Sequence, residues 1–384
     1  MNNYRTRSSL FLFASMALIG GTVSSPLYRQ VVGAEENEST DRPVPYRTLH
    51  AHRGTVVQTV FSPNGKILAT ASTLNDCKIK LWEVESRKLL HEFPVTNLSP
   101  YEIIFSPDSR LLADMDSNID KAGRPIEVRI WEIATGKLIA KFNPHLCNTI
   151  GLAFSSDSRL LAVATCDDFV KIWDVSAEKW LPSKRGWPHP KDSPKRTYAS
   201  VLETEISHLA FSPDGKQLFA IDDAEGGGAI SIYDAETGKK RVELTDYKGR
   251  MFLLKLSQDG RRLTSIHKDG KIRVWDTQTG KKMSTAETRR IPDTYYRGAR
   301  ISSDGRLAIT NDGEMISIWG FDAKKERIAY FRRRSIQETL FFSATAIGFS
   351  SDGRLLATAI SDDTVEIWEL KMLLKHGVCP GKTP

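Results

Sequence analysis

Cysteine is scarce in this chain: four in 384 residues, at Cys77, Cys147, Cys166 and Cys379. None stands in CxxC spacing, so neither a thiolate zinc site nor a dithiol redox motif is indicated. Cys147 and Cys166 are the one pair considered for a bridge in an oxidising compartment, with buried free thiols as the alternative. Long apolar runs are missing too. Leu10–Gly21 is shorter than the about 20 residues that a membrane span needs. The GxSxG, HExxH, P-loop and EF-hand patterns do not occur, and the eight histidines are scattered. Nor is charge of one sign in great excess. The net charge is +7, and residues 1–34 hold Arg5, Arg7 and Arg29 without an acid, which leaves +4 for the remainder. That bias is too small to indicate a nucleic-acid partner.

The N-terminus reads as an address. Arg5 and Arg7 precede the apolar run, small and polar residues follow, and Val32-Gly33-Ala34 offers a cleavage site before Glu35-Glu36. Thr22-Val23-Ser24 is a second candidate. The expected organisation is a signal peptide over 1–34, a linker over 35–45, a folded region over 46–370 and a tail over 371–384. Export to a periplasmic or extracellular space follows, with an uncleaved anchor as the alternative. No stable membrane span is expected after cleavage.

What the chain has in abundance is one turn. FSPNGK starts at Phe61, FSPDSR at Phe105, FSSDSR at Phe154 and FSPDGK at Phe211. LSQDGR starts at Leu256, ISSDGR at Ile301 and FSSDGR at Phe349. A second motif follows each: an alternating triplet ending in an aromatic, at Trp82, Trp131, Trp173, Tyr233, Trp275, Trp319 and Trp368. Alternation with β-branched and aromatic residues is a strand signal. Pro presets φ in the first turn and Gly accepts φ > 0. Each repeat therefore predicts four strands, a to d, with a second turn such as Thr135-Gly136 or Thr279-Gly280 between c and d. One such sheet cannot bury both faces, but seven packed around an axis can. The fold class is all-β: a seven-bladed propeller of four-stranded antiparallel blades. Tyr46–His50 precedes the first strand a and has no blade of its own. It is expected to close blade seven in preference to Lys371–His376, which lacks a turn signal before it.

Trp173-Asp174, Trp275-Asp276 and Tyr233-Asp234 resemble the signature dipeptide of the WD-repeat β-propellers, an exported bacterial-type member being indicated. The resemblance covers about residues 46–370. It implies a structural tetrad of His, Ser or Thr, Asp and Trp in each complete repeat. His52, Ser72, Asp76 and Trp82 fit it in repeat one, and His145, Thr165, Asp167 and Trp173 in repeat three. In repeat five Tyr247 replaces the His and Asp269 remains; in repeat seven Leu340 replaces it and Asp362 remains. Repeats two, four and six depart further. A buried network satisfying the indole N–H accounts for these residues better than a catalytic triad.

Function must then come from what differs between repeats. The a–b and c–d turns are short and uniform. The insertions fall on the opposite face: Asp116–Pro125 in blade two, Arg185–Thr204 between blades three and four, and Asp222–Gly228 in blade four. A loop of about 20 residues is either functional or disordered. Trp187 and Tyr198 are the expected aromatic anchors for a partner, with Lys195 and Arg196 supplying charge. Arg332-Arg333-Arg334 is a second basic cluster, read by default as a solvated run. The expected function is a scaffold for an unidentified protein or peptide, as a monomer, without cofactor, metal or catalytic residues. The alternative is a propeller enzyme or metal binder using Asp116, Asp120, Asp222, Asp223 and Glu225 at the channel mouth. A TolB-like propeller shares the turns but accounts poorly for the recurrent Trp.

Overall fold

The seven turns fold alike because one serine does the same work in each. Its hydroxyl donates to the Asx side chain two residues on: Ser62 to Asn64 at 2.8 Å, Ser212 to Asp214 at 2.5 Å, Ser350 to Asp352 at 2.6 Å. The same oxygen accepts the N–H of the first residue of strand b, as from Ile67 at 3.0 Å and Leu307 at 2.9 Å. Both capacities of the hydroxyl are used, and the chain reverses without leaving a buried polar group unpaired. The second turn is capped differently. Asp276, after Trp275, accepts the backbone N–H groups of Gln278 and Thr279 at 3.0 and 2.7 Å. Asp174 does the same for Ser176 and Ala177.

These observations come from a computed structural model. The described residues are 45–72, 76–95, 100–116, 127–143, 149–165, 170–181, 209–222, 229–235, 237, 239–244, 251–257, 259–267, 269–287, 299–311, 315–321, 327–332, 346–359 and 363–376.

Seven four-stranded antiparallel sheets follow in chain order. Blade one comprises Val56–Phe61, Ile67–Ser72, Lys78–Glu83 and Leu89–Pro94; blade two Pro100–Phe105, Leu111–Asp116, Val128–Glu132 and Leu138–Phe142. Blade three comprises Thr149–Phe154, Leu160–Thr165, Val170–Asp174 and Lys179–Trp180; blade four Leu209–Phe211, Gln217–Asp222, Ala229–Asp234 and Lys240–Leu244. Blade five comprises Met251–Leu256, Arg262–His267, Lys271–Asp276 and Lys282–Glu287; blade six Ala299–Ile301, Leu307–Asn311, Met315–Gly320 and Arg327–Arg332. Blade seven takes Ile347–Phe349, Leu355–Ala359 and Thr364–Glu369 from the C-terminal part and Arg47–His50 from the start.

The hydrophobic core is divided among the junctions between blades. Ile79, Leu81 and Phe93 of blade one pack with Ile103, Leu112 and Trp131 of blade two. Ile230 and Ile232 of blade four pack with Leu254, Leu263 and Trp275 of blade five. Strand b is buried on both faces, as over Ile67–Ser72, while the rim strand Leu138–Phe142 keeps exposed positions. A sheet squeezed between two others needs apolar residues on both sides, and its rim does not.

The N-terminal strand closes the ring. Arg47 pairs with Ile367 and His50 with Thr364, and the Ala51 N–H reaches the Asp363 carbonyl at 2.7 Å. Leu49 is buried among Val365, Ile367 and Val56. Where blade seven meets blade one the backbones approach closely. A Cβ on Gly348 would lie 2.6 Å from the Thr59 carbonyl oxygen, so only glycine fits. Lys371–His376 is not a strand. It belongs to a helix, Leu370–His376, whose Leu370 and Leu373 are buried in the core of blades six and seven. The expected tail thus begins as a packed element.

Candidate functional site

The b–c and d–a connections emerge on the face opposite the two uniform turns, and the indole-centred networks lie beneath them. In blade one the Trp82 indole N–H donates to Thr70 Oγ1 at 3.0 Å. Thr70 Oγ1 lies 2.8 Å from His52 Nε2, and His52 Nδ1 lies 2.5 Å from Asp76 Oδ2. The assignment that satisfies every member has Thr70 donating to Nε2 and a neutral His52 donating from Nδ1 to the carboxylate. Burial pushes the His52 imidazole down to about 4, against the opposing effect of its hydrogen bond to Asp76. Asp76 stays below the usual carboxylate range, because His52 and Lys80 outweigh the effect of its burial. Lys80 Nζ adds a contact to Asp76 at 3.3 Å and a hydrogen bond to the Ala51 carbonyl at 2.9 Å.

The hydroxyl in this network is Thr70, not the expected Ser72. Strand register explains the correction. Trp82 faces Leu68, so a residue two further along strand b is within reach. Ser72 is four further, about 13 Å along the strand. Its own Oγ is buried without a partner. The offset holds in other blades: eight residues after the turn serine come Asp114, Ser265, Thr310 and Thr358. Each accepts its blade's indole N–H, from Trp131 at 2.5 Å, Trp275 at 2.9 Å, Trp319 at 2.8 Å and Trp368 at 3.0 Å. More of the network therefore survives in blades two and six than the repeat pattern suggested.

Among the blades with a strand-c Trp, blade three is the exception. Val163 holds the hydroxyl position, and the Trp173 indole N–H is buried without a partner. Thr165, expected in the tetrad, corresponds to Ser72 and lies too far along. His145 and Asp167 fall outside the described residues. Trp173 is held by packing instead, stacked on Phe142 at 4.2 Å and edge-on to Trp180 at 5.1 Å.

Blades two and five replace parts of the network with ion pairs. Asp114, fully buried, takes Arg129 Nε at 2.8 Å, with Arg129 Nη2 also on the carboxylate, while Nη1 donates to the Pro94 carbonyl at 2.8 Å. In blade five the histidine comes from strand b. His267 Nε2 lies 2.8 Å from Ser265 Oγ, and Arg273 pairs with Asp269 at 2.6 Å. Burial, then Arg273, lowers His267 to about 3. Sequence reading missed His267 and Thr70, although the constant offset from the turn serine was available as a signal.

The hydroxyl and imidazole members of these sets are enclosed. Thr70, Ser265 and His267 are fully buried, and His52 is 5% exposed. They belong to hydrogen-bonded networks that satisfy the buried indole N–H.

The expected partner residues Trp187, Lys195, Arg196 and Tyr198 lie outside the described residues, as do Asp120, Asp223 and Glu225. Asp116 and Asp222 end strands b of blades two and four, on the loop-bearing side. Arg332 ends strand d of blade six. Among the described residues Cys77 forms no disulfide; Cys147, Cys166 and Cys379 lie outside them. Among the described residues no group of three metal-ligating side chains forms, and no helix is long and apolar enough to cross a membrane.

The fold and its indole networks define a seven-bladed β-propeller. Three segments, 43–83, 136–174 and 340–369, match the family described as WD domain, G-beta repeat. Human coronin-7 is 26% identical over 166 residues, 43% of this chain and 16% of coronin-7. Periodic tryptophan protein 2 of Saccharomyces cerevisiae is 25% identical over 165 residues, 42% of this chain and 17% of that protein. Eukaryotic translation initiation factor 3 subunit I of Aspergillus terreus is 24% identical over 159 residues, 39% of this chain and 42% of its own length. The chain thus spans under a fifth of the length of the first two and less than half of the third.

Proposed function

We propose that this chain is an exported, non-enzymatic scaffold that binds a protein or peptide on the face bearing the long loops of blades two to four. The observation that carries the reading is the sameness of the other face. Seven a–b turns share one pair of serine hydrogen bonds, so neighbouring blades there present nearly equivalent backbones. Recognition of one partner in one orientation needs a departure from that symmetry. The sequence concentrates insertions in three adjacent blades on the loop-bearing side. Trp187 and Tyr198 supply apolar anchors there, and Lys195 and Arg196 supply complementarity to an acidic partner surface. A matched relative whose name makes it a subunit of a larger factor supports the same general role.

Residues 1–34 direct export and are removed. N-terminal sequencing of the exported chain checks this, with Glu35 as the expected first residue. The partner site is tested by capture from the exported fraction with the full chain and with residues 185–204 deleted. The expected result is a protein retained by the first and lost with the second. Equal retention by both would place the binding surface elsewhere on the propeller.

A further inference from the structure

Six of the seven a–b turns carry aspartate two residues after the turn serine, and blade one alone carries asparagine, Asn64. Gly65 follows it, and no other asparagine of the chain precedes a glycine. The pair has a chemistry of its own. The peptide nitrogen after an asparagine can attack the side-chain amide carbon, and glycine, lacking a Cβ, leaves that approach open. Nothing lies within 4 Å of the position that a Cβ on Gly65 would take. Asn64 and Gly65 line a groove of about 440 Å³ between blades seven and one, with Lys66, Asp352 and Arg354 also on its walls. Asn64 is exposed there, so water reaches the reacting atoms. The closed turn holds those atoms back. The Gly65 N–H donates to the Ser62 carbonyl at 2.8 Å, and the Asn64 N–H donates to Ser109 Oγ of the next blade at 3.0 Å. Attack must wait until the turn opens, a local event that costs less than unfolding the ring.

The product of such a reaction has a place prepared for it. Asn64 Oδ1 accepts Ser62 Oγ at 2.8 Å and the Lys66 N–H at 3.0 Å. In blade two Asp108 Oδ1 accepts the same pair, from Ser106 Oγ at 2.6 Å and the Arg110 N–H at 3.0 Å. Asp352 in blade seven does so from Ser350 at 2.6 Å and Arg354 at 3.0 Å. An aspartate at position 64 would accept both bonds, strengthened by its charge. We propose that Asn64 is a site of spontaneous deamidation, timed by the opening of blade one's a–b turn, and that the fold accepts the aspartate formed. The Gly65 nitrogen bonds to Asn64 Cγ and yields its proton to water, and the amide nitrogen leaves as ammonia. Water then opens the cyclic imide. Cleavage of the Cγ–N bond restores the backbone with aspartate at 64; cleavage of the other C–N bond leaves isoaspartate, with the backbone running through Cγ. The net change is one amide hydrolysed, with nothing oxidised or reduced. Conversion to aspartate gives all seven turns the same acid and adds a negative charge to the groove, on the face opposite the long loops.

The test is incubation of the full chain in mildly alkaline buffer, folded and in denaturant, with peptide mass spectrometry following every asparagine. In denaturant Asn64 should convert before any other. Folding should slow that conversion by about tenfold or more, since only the opened turn reacts. Ser109→Ala removes the bond that holds the Asn64 N–H and should speed conversion in the folded chain by about fivefold, the factor that one lost hydrogen bond represents. Asn64→Asp should fold, with an unfolding midpoint within about 2 °C of the parent. Conversion at Asn64 no faster than elsewhere in denaturant, equal rates in the folded and denatured chain, a rate that Ser109→Ala leaves unchanged, or an Asn64→Asp chain that unfolds well below the parent would each overturn the proposal.

Discussion

The Ser109 hydroxyl accepts the backbone N–H of Asn64 at 3.0 Å, joining the first turns of blades one and two. Ser158 does the same for Asp108 at 3.1 Å, one junction further round. Both serines sit at φ near +60°, where the other five blades have glycine in the same turn. A non-glycine residue there costs about 1–2 kcal/mol. The serines are kept at that cost because their hydroxyls tie neighbouring blades. Ser109→Ala retains the strain and loses the bond, so it should destabilise by about 1 kcal/mol. Ser109→Gly relieves the strain as it loses the bond and should be closer to neutral. Denaturant unfolding of both variants gives the order; alanine at parent stability would mean the hydroxyl contributes nothing.

The hydroxyl correction makes a sharper test of the blade-one network. Thr70→Val leaves the Trp82 N–H and His52 Nε2 buried without a partner, at a cost of about 1–3 kcal/mol for an unsatisfied group. Ser72→Ala removes an oxygen that is already unpartnered and should cost less than about 0.5 kcal/mol. In blade three, Val163→Thr supplies the missing acceptor to Trp173 and should stabilise by about 0.5–1.5 kcal/mol. Equal effects of the two blade-one substitutions would refute the register argument.

Asp114 and Arg129 form a buried pair, and such a pair is worth less than the damage done by halving it. Arg129→Met leaves the buried Asp114 charge without its guanidinium partner and takes a donor from the Pro94 carbonyl, at an expected cost of about 3–5 kcal/mol. Asp114→Thr with Arg129→Met restores the hydroxyl found in blades one, six and seven. This double variant should recover most of that loss. A double variant no more stable than Arg129→Met would show that the charges themselves hold this blade.

Stability should fall with acid before any carboxylate titrates. His52 and His267 are held near 4 and 3, below the ordinary 6.5, so the unfolded chain binds their protons first. Their contribution is complete above pH 6.5 and is lost as pH falls toward 4 and then 3. Each pKa unit corresponds to about 1.4 kcal/mol, which puts the loss on the order of 3–5 kcal/mol per histidine. The turn aspartates, Asp157, Asp214 and Asp259 among them, are held below their ordinary 3.8 by the serine hydroxyls and add to the loss only below that value. The unfolding midpoint measured between pH 8 and 4 should decline from about pH 6.5 downward. A flat profile to pH 4.5 would mean that neither histidine is neutral only in the folded state.

The blades were legible because their determinants are local. A turn serine bonds two and five residues away, and an alternating triplet selects a strand whatever surrounds it. Seven copies of both leave one architecture in which every sheet is covered, and the spare segment Tyr46–His50 marks the closing strand. The indole acceptors were not legible in the same way. Ser72 and Thr70 are both strand-b hydroxyls on one face, and only the pairing of Trp82 with Leu68 places the indole within reach of one of them. Register is a property of two strands together, and a one-dimensional pattern does not contain it.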